Sequence, residues 1–315
     1  MDLFDVITSG AYTTVQDKGR YGFLQMGIPV CGALDPFAFR VANMLVGNDK
    51  NHAVLEMTIT GPRLEVLADA MVAVTGAEIS VSLNDQPIPM WRSFRVQAGD
   101  LLAIHQVKSG CRAYLAVTGG LDVPIVMGSR STYVGGHIGG FNGRPLKAGD
   151  RLGARPAGLP DFLQALSEDD IPQFSPEIVL RAIPGPQDDF FVEGLDLLFS
   201  SQFMVSTKAD RMGYRLQGPP IPLLSDKPKS IVSEPSMPGG IQIPADQQPI
   251  ILLVEQTVGG YAKIATVISS DISKIAQATP GDTVRFEPTS LEETHRQYLR
   301  QVGRYQNIQK RMIKI

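Results

Sequence analysis

The chain has 315 residues, 43% of them hydrophobic, and a formal net charge of -3 at pH 7. This length exceeds what one hydrophobic core usually supports, so we expect two domains. The slightly negative net charge argues against the clustered basic residues of a nucleic-acid-binding protein. No apolar run reaches the roughly 18 residues that a membrane span needs. We therefore expect neither a nucleic-acid partner nor membrane insertion.

The cysteines and the first residues indicate a compartment. Cys31 and Cys111 are the only cysteines, and they lack CxxC spacing. The chain opens with the charged stretch MDLFD, which is unlike a signal peptide. These features predict free thiols and a cytoplasmic location.

Short apolar runs bounded by Gly, Pro, Asn or Asp follow one another along the chain, as is typical of strands and turns. The clearest runs are MVAVTGAEISVSL, LLAIHQV and AYLAVTGG in the first half and PEIVLRAIPG, PIILLVEQ and DTVRFEP in the second. A Gly-Asp pair precedes a strand at Gly99, Gly149 and Gly281, which suits hairpins of small barrels or sandwiches. The chain is predicted to be mainly β.

Few helices are predicted. The first spans Ala33–Gly47, with Asp35 as N-cap, a proline at the first helical position and a terminating glycine. A second is predicted over Leu159–Ser167, with a domain boundary at about residues 155–175. The basic segment His295–Ile315 predicts a late helix with a solvated basic face.

A weak internal similarity points to two related halves. Thr118–Ser129 aligns with Val258–Ser269 through a shared Gly-Gly pair, and each segment precedes an AGD or PGD turn. Two β-rich domains of the same fold would explain such an internal similarity.

Metal and nucleotide motifs are absent from the sequence. The four histidines lack the spacing of zinc ligands, so no metal site is predicted. Neither a P-loop nor a Rossmann fingerprint occurs. The loop GSRSTYVGGHIGG offers Arg130, the Ser131 hydroxyl and many backbone N–H groups. The loop either holds an oxyanion or is a mobile barrel loop, and the residues leave both open.

Polar residues inside strand-like apolar surroundings are the remaining candidates for a site. Burying charge without a partner costs free energy, so such residues either form salt bridges or line a wet pocket. In the second half they are Asp210, Arg211, Arg215, Glu234, Gln242, Glu255, Tyr261 and Lys263.

Several segments resemble the biotin-dependent carboxyltransferase-like family, which includes allophanate hydrolase subunit 2 and the C subunit of 5-oxoprolinase. They are TTVQDKGRYGFLQMGIPVCGALDPFAFRVANMLVGN, AVLEMTITGP, GSRST, ADRMGYRLQGP, PGGIQIPADQQPIILLVEQTVGGYAKIATV and QATPGDTVRF. The resemblance runs from about residue 5 to 287. Two positions depart from the family pattern: Cys31 stands where Ser is usual, and Glu255 where Asp is usual.

The resemblance implies two cyclophilin-like β-barrel domains with a few short helices, at residues 1–160 and 175–290, followed by a basic helix or tail at 291–315. It implies one component, inactive alone, of an ATP-dependent 5-oxoprolinase that opens 5-oxoproline to L-glutamate. The implied partners are two further 5-oxoprolinase subunits, a kinase-inhibitor-like sister and one of the lactam-utilisation type. The alternatives are a biotin-dependent carboxyltransferase acting on urea and a non-catalytic antagonist of a histidine-kinase inhibitor.

The resemblance also suggests roles for individual residues. Catalytic roles are expected for Asp210, Arg211, Glu234 and Lys263. Lys263, with Tyr261, is expected to polarise a carbonyl, and either Glu234 or Glu255 to manage protons. Substrate or phosphate binding is expected of Arg130, Ser131, Arg215, Gln242, Gly259, Gly260 and Tyr261. The opposing interpretation is a barrel rim laced with salt bridges. No site for ATP is identified, and biotin enters only with the urea alternative.

Overall fold

The computed structural model describes all 315 residues and contains 20 strands and four α-helices. The first ten strands are β1 (Asp2–Thr8), β2 (Tyr12–Gln16), β3 (Val54–Thr58), β4 (Arg63–Val66), β5 (Ala70–Leu83), β6 (Gln86–Ile88), β7 (Ser93–Val96), β8 (Leu101–Val117), β9 (Arg151–Gly153) and β10 (Gln164–Ala165). The others are β11 (Glu177–Pro184), β12 (Gln202–Ala209), β13 (Gly213–Gln217), β14 (Glu234–Pro235), β15 (Gly240–Ile243), β16 (Ile250–Leu252), β17 (Val258–Gly259), β18 (Ala262–Val267), β19 (Thr283–Pro288) and β20 (Ile313–Lys314). The helices are α1 (Pro36–Leu45), α2 (Gly194–Ser200), α3 (Ile272–Ala276) and α4 (Leu291–Arg311).

The chain divides into two compact units. Unit 1 comprises Met1–Arg20, Cys31–Phe174 and Tyr305–Ile315. Unit 2 comprises Tyr21–Val30 and Ser175–Arg304. The expectation of a mainly β chain with two β-rich parts is confirmed.

These units differ from the division 1–160, 175–290 and 291–315 in three places: unit 1 extends to Phe174, the segment Tyr21–Val30 belongs to unit 2, and α4 is divided between the units. The two ends of that segment meet in unit 1. The Ala33 N–H donates to the Asp17 carbonyl at 2.9 Å, and a Cβ at Gly32 would lie 2.8 Å from the Gly19 nitrogen. The predicted domain boundaries rest on amino-acid composition, and composition does not reveal that a segment leaves one unit and returns to it.

Unit 1 is built on a nine-stranded sheet with the strand order β2-β3-β8-β4-β1-β9, and β5 pairs with β6, β7 and β8. The predicted strands LLAIHQV and AYLAVTGG are one long strand, β8. Its pairing with β5 places Val72 opposite Val117 and Val74 opposite Leu115, all fully buried. Cross-strand apolar pairs of this kind stabilise the sheet and fix its register.

The first predicted helix is confirmed. α1 begins after Asp35, whose side chain accepts from the N–H groups of Phe37 and Ala38, and Pro36 occupies the first helical position. Gly47 lies just beyond the C-terminal end with a positive φ of 72°. Capping and the terminal glycine thus set both ends of the helix.

The helix predicted over Leu159–Ser167 is wrong. These residues contain no helix, and Gln164–Ala165 within them form β10, which pairs with β20, with Gln164 opposite Lys314 and Ala165 opposite Ile313. The strand partner comes from the far end of the chain, so local propensity is overridden by a tertiary contact.

Unit 2 is a closed barrel in the order β11-β18-β15-β16-β13-β12-β19, closed by parallel pairing of β19 with β11. Its interior is apolar and includes Leu180, Ile241, Ile251, Ile264 and Phe286. Closure leaves no unpaired strand edge in this ring.

The Gly-Asp turns are confirmed before β8, β9 and β19. Gly99, Gly149 and Gly281 have φ values of 92°, 85° and 99°, a region that favours glycine. In each turn the following aspartate accepts from the N–H three residues before it.

The alignment of Thr118–Ser129 with Val258–Ser269 is wrong, because the second segment contains β18 and the first has only isolated bridges.

The C-terminal helix is confirmed as α4, and His295 and Arg300 are exposed on it while Ile308 is buried. No helix of the chain combines the length and the apolar character that crossing a bilayer requires. Cys31 and Cys111 are both buried, and neither forms a disulfide.

Candidate functional site

A buried lysine and a partly exposed glutamate form an ion pair in unit 2. Lys263 lies on β18 and is 6% exposed, whereas the Glu234 side chain on β14 is 41% exposed. The Lys263 Nζ donates to Glu234 Oε1 at 2.6 Å, and Gln187 Nε2 donates to the same oxygen at 3.4 Å. Gln187 Oε1 also accepts from the Lys263 backbone N–H at 2.9 Å. Gln187 thus holds both members of the pair.

The pair combines a buried ammonium with a carboxylate that reaches the surface. The Lys263 ammonium holds the pKa of Glu234 below its usual value, chiefly through their hydrogen bond, which outweighs the opposing effect of partial burial. Glu234 is therefore ionised at neutral pH. An ammonium withdrawn from water stabilises charge that develops on a carbonyl oxygen, and a neighbouring carboxylate accepts protons.

Strand register brings two further donors to Lys263. Gln242 on β15 is the Cα partner of Lys263 on β18, so both side chains lie on one face. The Gln242 Nε2 is buried and has no hydrogen-bond partner within the protein, and the same is true of the Ser236 hydroxyl. A Cβ at Gly259 would lie 3.2 Å from Ser236 Oγ and closer still to Gln242 Nε2. A side chain at position 259 would therefore displace the Gln242 amide and press on the Ser236 hydroxyl.

A two-stranded sheet of β14 and β17 carries the outer part of this arrangement. Glu234 pairs with Gly259, and the Ile231 N–H donates to the Gly260 carbonyl at 2.8 Å. Tyr261 follows and is 41% exposed. The sheet is short because a glycine pair and prolines flank it, and it holds Glu234 against the barrel strand of Lys263.

We call this arrangement the Lys263 cluster, with the members Lys263, Glu234, Gln187, Gln242, Ser236 and Gly259. Four of these residues carry roles expected from the sequence, whereas Gln187 and Ser236 were missed. Gln187 lies in the polar stretch PQDD, and Ser236 lies between a proline and a methionine that precedes another proline. Neither residue lies within a long apolar run. The search for polar residues in strand-like apolar surroundings therefore did not identify them.

The stretch ADRMGYRLQGP contains the end of β12, the turn that follows it and the whole of β13. Asp210 Oδ1 accepts from the Met212 N–H at 2.8 Å and the Gly213 N–H at 3.2 Å, so this carboxylate shapes the turn. Arg215 forms a long contact of 3.4 Å with Asp246, and both side chains are well exposed.

Arg211 is the buried residue of this stretch. Its Nε donates to Glu255 Oε1 at 2.5 Å, and the two side chains are 6% and 9% exposed. The Glu255 N–H also donates to the Arg211 carbonyl at 3.1 Å. Arg211 thus has a carboxylate partner in its own chain, and its expected role toward a ligand stays a prediction.

Arg130 and Ser131 lie in unit 1, around the Asp17 carboxylate. Asp17 Oδ1 accepts from Ser129 Oγ at 2.6 Å and from Ser131 Oγ at 2.5 Å, and Oδ2 accepts from the Arg130 N–H at 2.6 Å. Burial, and secondarily the positive charge of Arg155, lower the pKa of Arg130. The loop is tied to its own aspartate, and anion binding by Arg130 and Ser131 stays a prediction.

The chain contains no group of three or more His, Cys, Asp or Glu side chains with a geometry that could hold a metal ion.

Sequence comparison connects the chain to known proteins. The family model of the carboxyltransferase domain, subdomain A and B, matches residues 26–288. The chain is 41% identical to the C subunit of 5-oxoprolinase from Escherichia coli over 295 residues, which are 92% of this chain and 93% of that protein. It is 36% identical to the C subunit of 5-oxoprolinase from Haemophilus influenzae over 293 residues, again 92% and 93% of the two chains.

Structural comparison gives a related result. The K. lactis urea amidolyase superposes with a TM-score of 0.88 at 35% identity. The match covers 93% of this chain and 19% of the urea amidolyase chain.

Proposed function

The chain belongs to the carboxyltransferase domain family, subdomain A and B, and on this basis we propose that it is the C subunit of a multi-subunit 5-oxoprolinase. The complex would open the lactam of 5-oxoproline to L-glutamate and consume ATP. The observation that carries this proposal is the 41% identity to the E. coli protein, because it extends over almost the full length of both chains.

The proposal includes partners and a location. Both relatives are named as the C subunit of 5-oxoprolinase, and this name implies other subunits. We propose that one partner is a kinase-inhibitor-like sister protein and the other a lactam-utilisation-type protein, both in the cytoplasm. We further propose that the chain is inactive without them.

The Lys263 cluster supplies chemistry that suits an amide substrate. A lactam carbonyl is unreactive, and a positive charge close to its oxygen stabilises the negative charge that forms there when the carbon is attacked. Lys263 would provide that charge, and Glu234 would exchange a proton with the ring nitrogen or with water. Gln187 positions both groups through its amide.

We assign no ATP site to this chain. Lys263 is buried and bound to Glu234, and Arg211 is buried and bound to Glu255. Neither cation is free for a triphosphate. In this proposal the phosphoryl chemistry belongs to the partner subunits.

The test is glutamate release from 5-oxoproline and ATP by this chain combined with its two partner subunits. We expect turnover by the three-component mixture and none when any one component is omitted. Absence of turnover in every combination, with each protein folded and the three co-purifying, would refute the proposal.

The urea amidolyase superposition favours one second candidate, a biotin-dependent carboxyltransferase acting on urea. In that case the chain would transfer a carboxyl group from a carboxylated biotin carrier to urea. Carboxylation of urea that depends on this chain and on a biotinylated carrier, without turnover of 5-oxoproline, would replace the first proposal by the second.

A further inference from the structure

Two buried donors of the Lys263 cluster lack acceptors. Gln242 is 3% exposed and Ser236 is 1% exposed, yet Gln242 Nε2 and Ser236 Oγ have no hydrogen-bond partner within the protein. Buried polar groups are nearly always paired, and leaving one unpaired costs stability. Two such groups that both border Gly259 indicate that a ligand completes their hydrogen bonding.

The surroundings of the donors restrict the ligand's charge. Lys263 lies beside Gln242 in strand register, but its ammonium is already balanced by the Glu234 carboxylate at 2.6 Å. A ligand carboxylate placed there would be repelled by Glu234, whereas a neutral oxygen would not. A carbonyl oxygen has two lone pairs and accepts two hydrogen bonds, which matches an N–H and an O–H donor.

We propose that Gln242 Nε2 and the Ser236 hydroxyl bind the carbonyl oxygen of a neutral amide group in the substrate, beside Lys263. For 5-oxoproline this is the lactam carbonyl, and that identification rests on the proposed function. The assignment of the ligand as a neutral amide does not rest on the proposed function, because urea presents the same carbonyl group. Gly259 is required because a Cβ there would lie 3.2 Å from Ser236 Oγ and would push the Gln242 amide out of its position.

The first test is thermal unfolding of the full chain. A donor without an acceptor contributes nothing to the ligand-free fold, so Gln242→Met and Ser236→Ala are expected to keep or raise the melting temperature. The matched control is Gln187→Met, which leaves the Lys263 N–H without its acceptor. It is expected to lower the melting temperature by about 3 °C.

The second test measures ligand binding with defined probes, by NMR titration of the full chain and by KM in the assembled complex. The probes are 5-oxoproline, urea, 2-pyrrolidinone, which has the lactam without the carboxylate, and cyclopentanecarboxylate, which has the carboxylate without the lactam. Gln242→Met is expected to weaken binding of the amide probes by about tenfold, with no effect on cyclopentanecarboxylate. The exposed control Gln202→Met is expected to bind as the unmodified chain does.

The outcomes separate this inference from the proposed function. Turnover of 5-oxoproline with a KM unchanged in Gln242→Met overturns the inference and leaves the function standing. Urea binding that depends on Gln242, without turnover of 5-oxoproline, overturns the function and supports the inference. A melting temperature of Gln242→Met as low as that of Gln187→Met, or no binding of any amide probe to the chain or the complex, overturns the inference.

Discussion

Lys263 carries its charge at a position that is 6% exposed, and Glu234 is the carboxylate that balances it. Because Glu234 is itself partly exposed, it can regain water when the lysine is removed. The contribution of the pair to stability is therefore small, about 1 kcal/mol or less. Gln187 donates to the Glu234 carboxylate at 3.4 Å and accepts from the Lys263 backbone N–H at 2.9 Å, so it links the two strands that carry the pair.

We expect Lys263→Met to lower kcat/KM of the assembled complex by about 100-fold or more while the melting temperature changes little, since the charge acts on the reacting oxygen. The matched control is Lys227→Met, which removes a lysine at the same 2.6 Å from an aspartate elsewhere in unit 2. Equal activities of the two variants would show that Lys263 has only a structural role.

Asp271 is a buried charged residue that stabilises unit 2. It is fully buried, and it accepts from the Arg181 backbone N–H at 2.9 Å and from the Arg181 side chain at 3.0 and 2.7 Å. Burial alone would raise the pKa of Asp271, but the hydrogen bonds from Arg181, with the nearby Lys274, outweigh it, and the pKa lies below its usual value.

A depressed folded-state pKa stabilises the fold above the unfolded-state pKa of about 4, and this contribution is lost as the pH falls through the folded-state value. We expect Asp271→Asn to cost about 2 kcal/mol at pH 7. The difference in melting temperature between the two chains should shrink as the pH falls below about 4. A pH-independent difference would contradict the assignment.

At the scale of elements, the sheet of β14 and β17 has few paired residues, yet it leaves no room for a side chain at Gly259. It has only two residues in each strand, and a Cβ at Gly259 would lie 3.2 Å from Ser236 Oγ and would overlap Gln242 Nε2. The φ of Gly259 is negative, so an alanine there is not strained by its backbone. The glycine is needed for space and not for conformational freedom.

Gly259→Ala is therefore expected to remain folded and to lose most activity of the complex, about tenfold or more in kcat/KM. Gly158→Ala serves as the control, because a Cβ there meets nothing within 4 Å. Circular dichroism and the melting temperature check folding. Full activity of Gly259→Ala in a folded chain would remove the steric argument for the site.

At the scale of the whole molecule, each unit has its own apolar core: the core of unit 1 includes Leu55, Val72 and Leu115, and that of unit 2 includes Ile241 and Ile251. Chains with two cores commonly unfold in more than one step. We expect a calorimetric enthalpy of unfolding larger than the van't Hoff enthalpy, with Asp271→Asn lowering one transition. A single two-state transition would contradict this.

Sequence reasoning succeeded where the cause of a structure is local. α1 follows from Asp35, Pro36 and Gly47, all within one helix length, and the Gly-Asp turns follow from a positive φ next to a side chain that accepts a nearby N–H. The mainly β character follows from apolar runs of strand length, and the family from long matching segments. These features depend on residues that are neighbours along the chain.

Only the tertiary structure decided which distant residues meet. β10 is a strand because its partner lies some 150 residues later, and the Lys263 cluster joins residues from position 187 to position 263 through barrel closure and strand register. The sequence by itself determined the fold class, the family and several members of the site. It did not determine that Arg211 is held by Glu255, or that Gln242 and Ser236 keep their donors free, because pairing and burial are set by contacts between strands that are distant in the sequence.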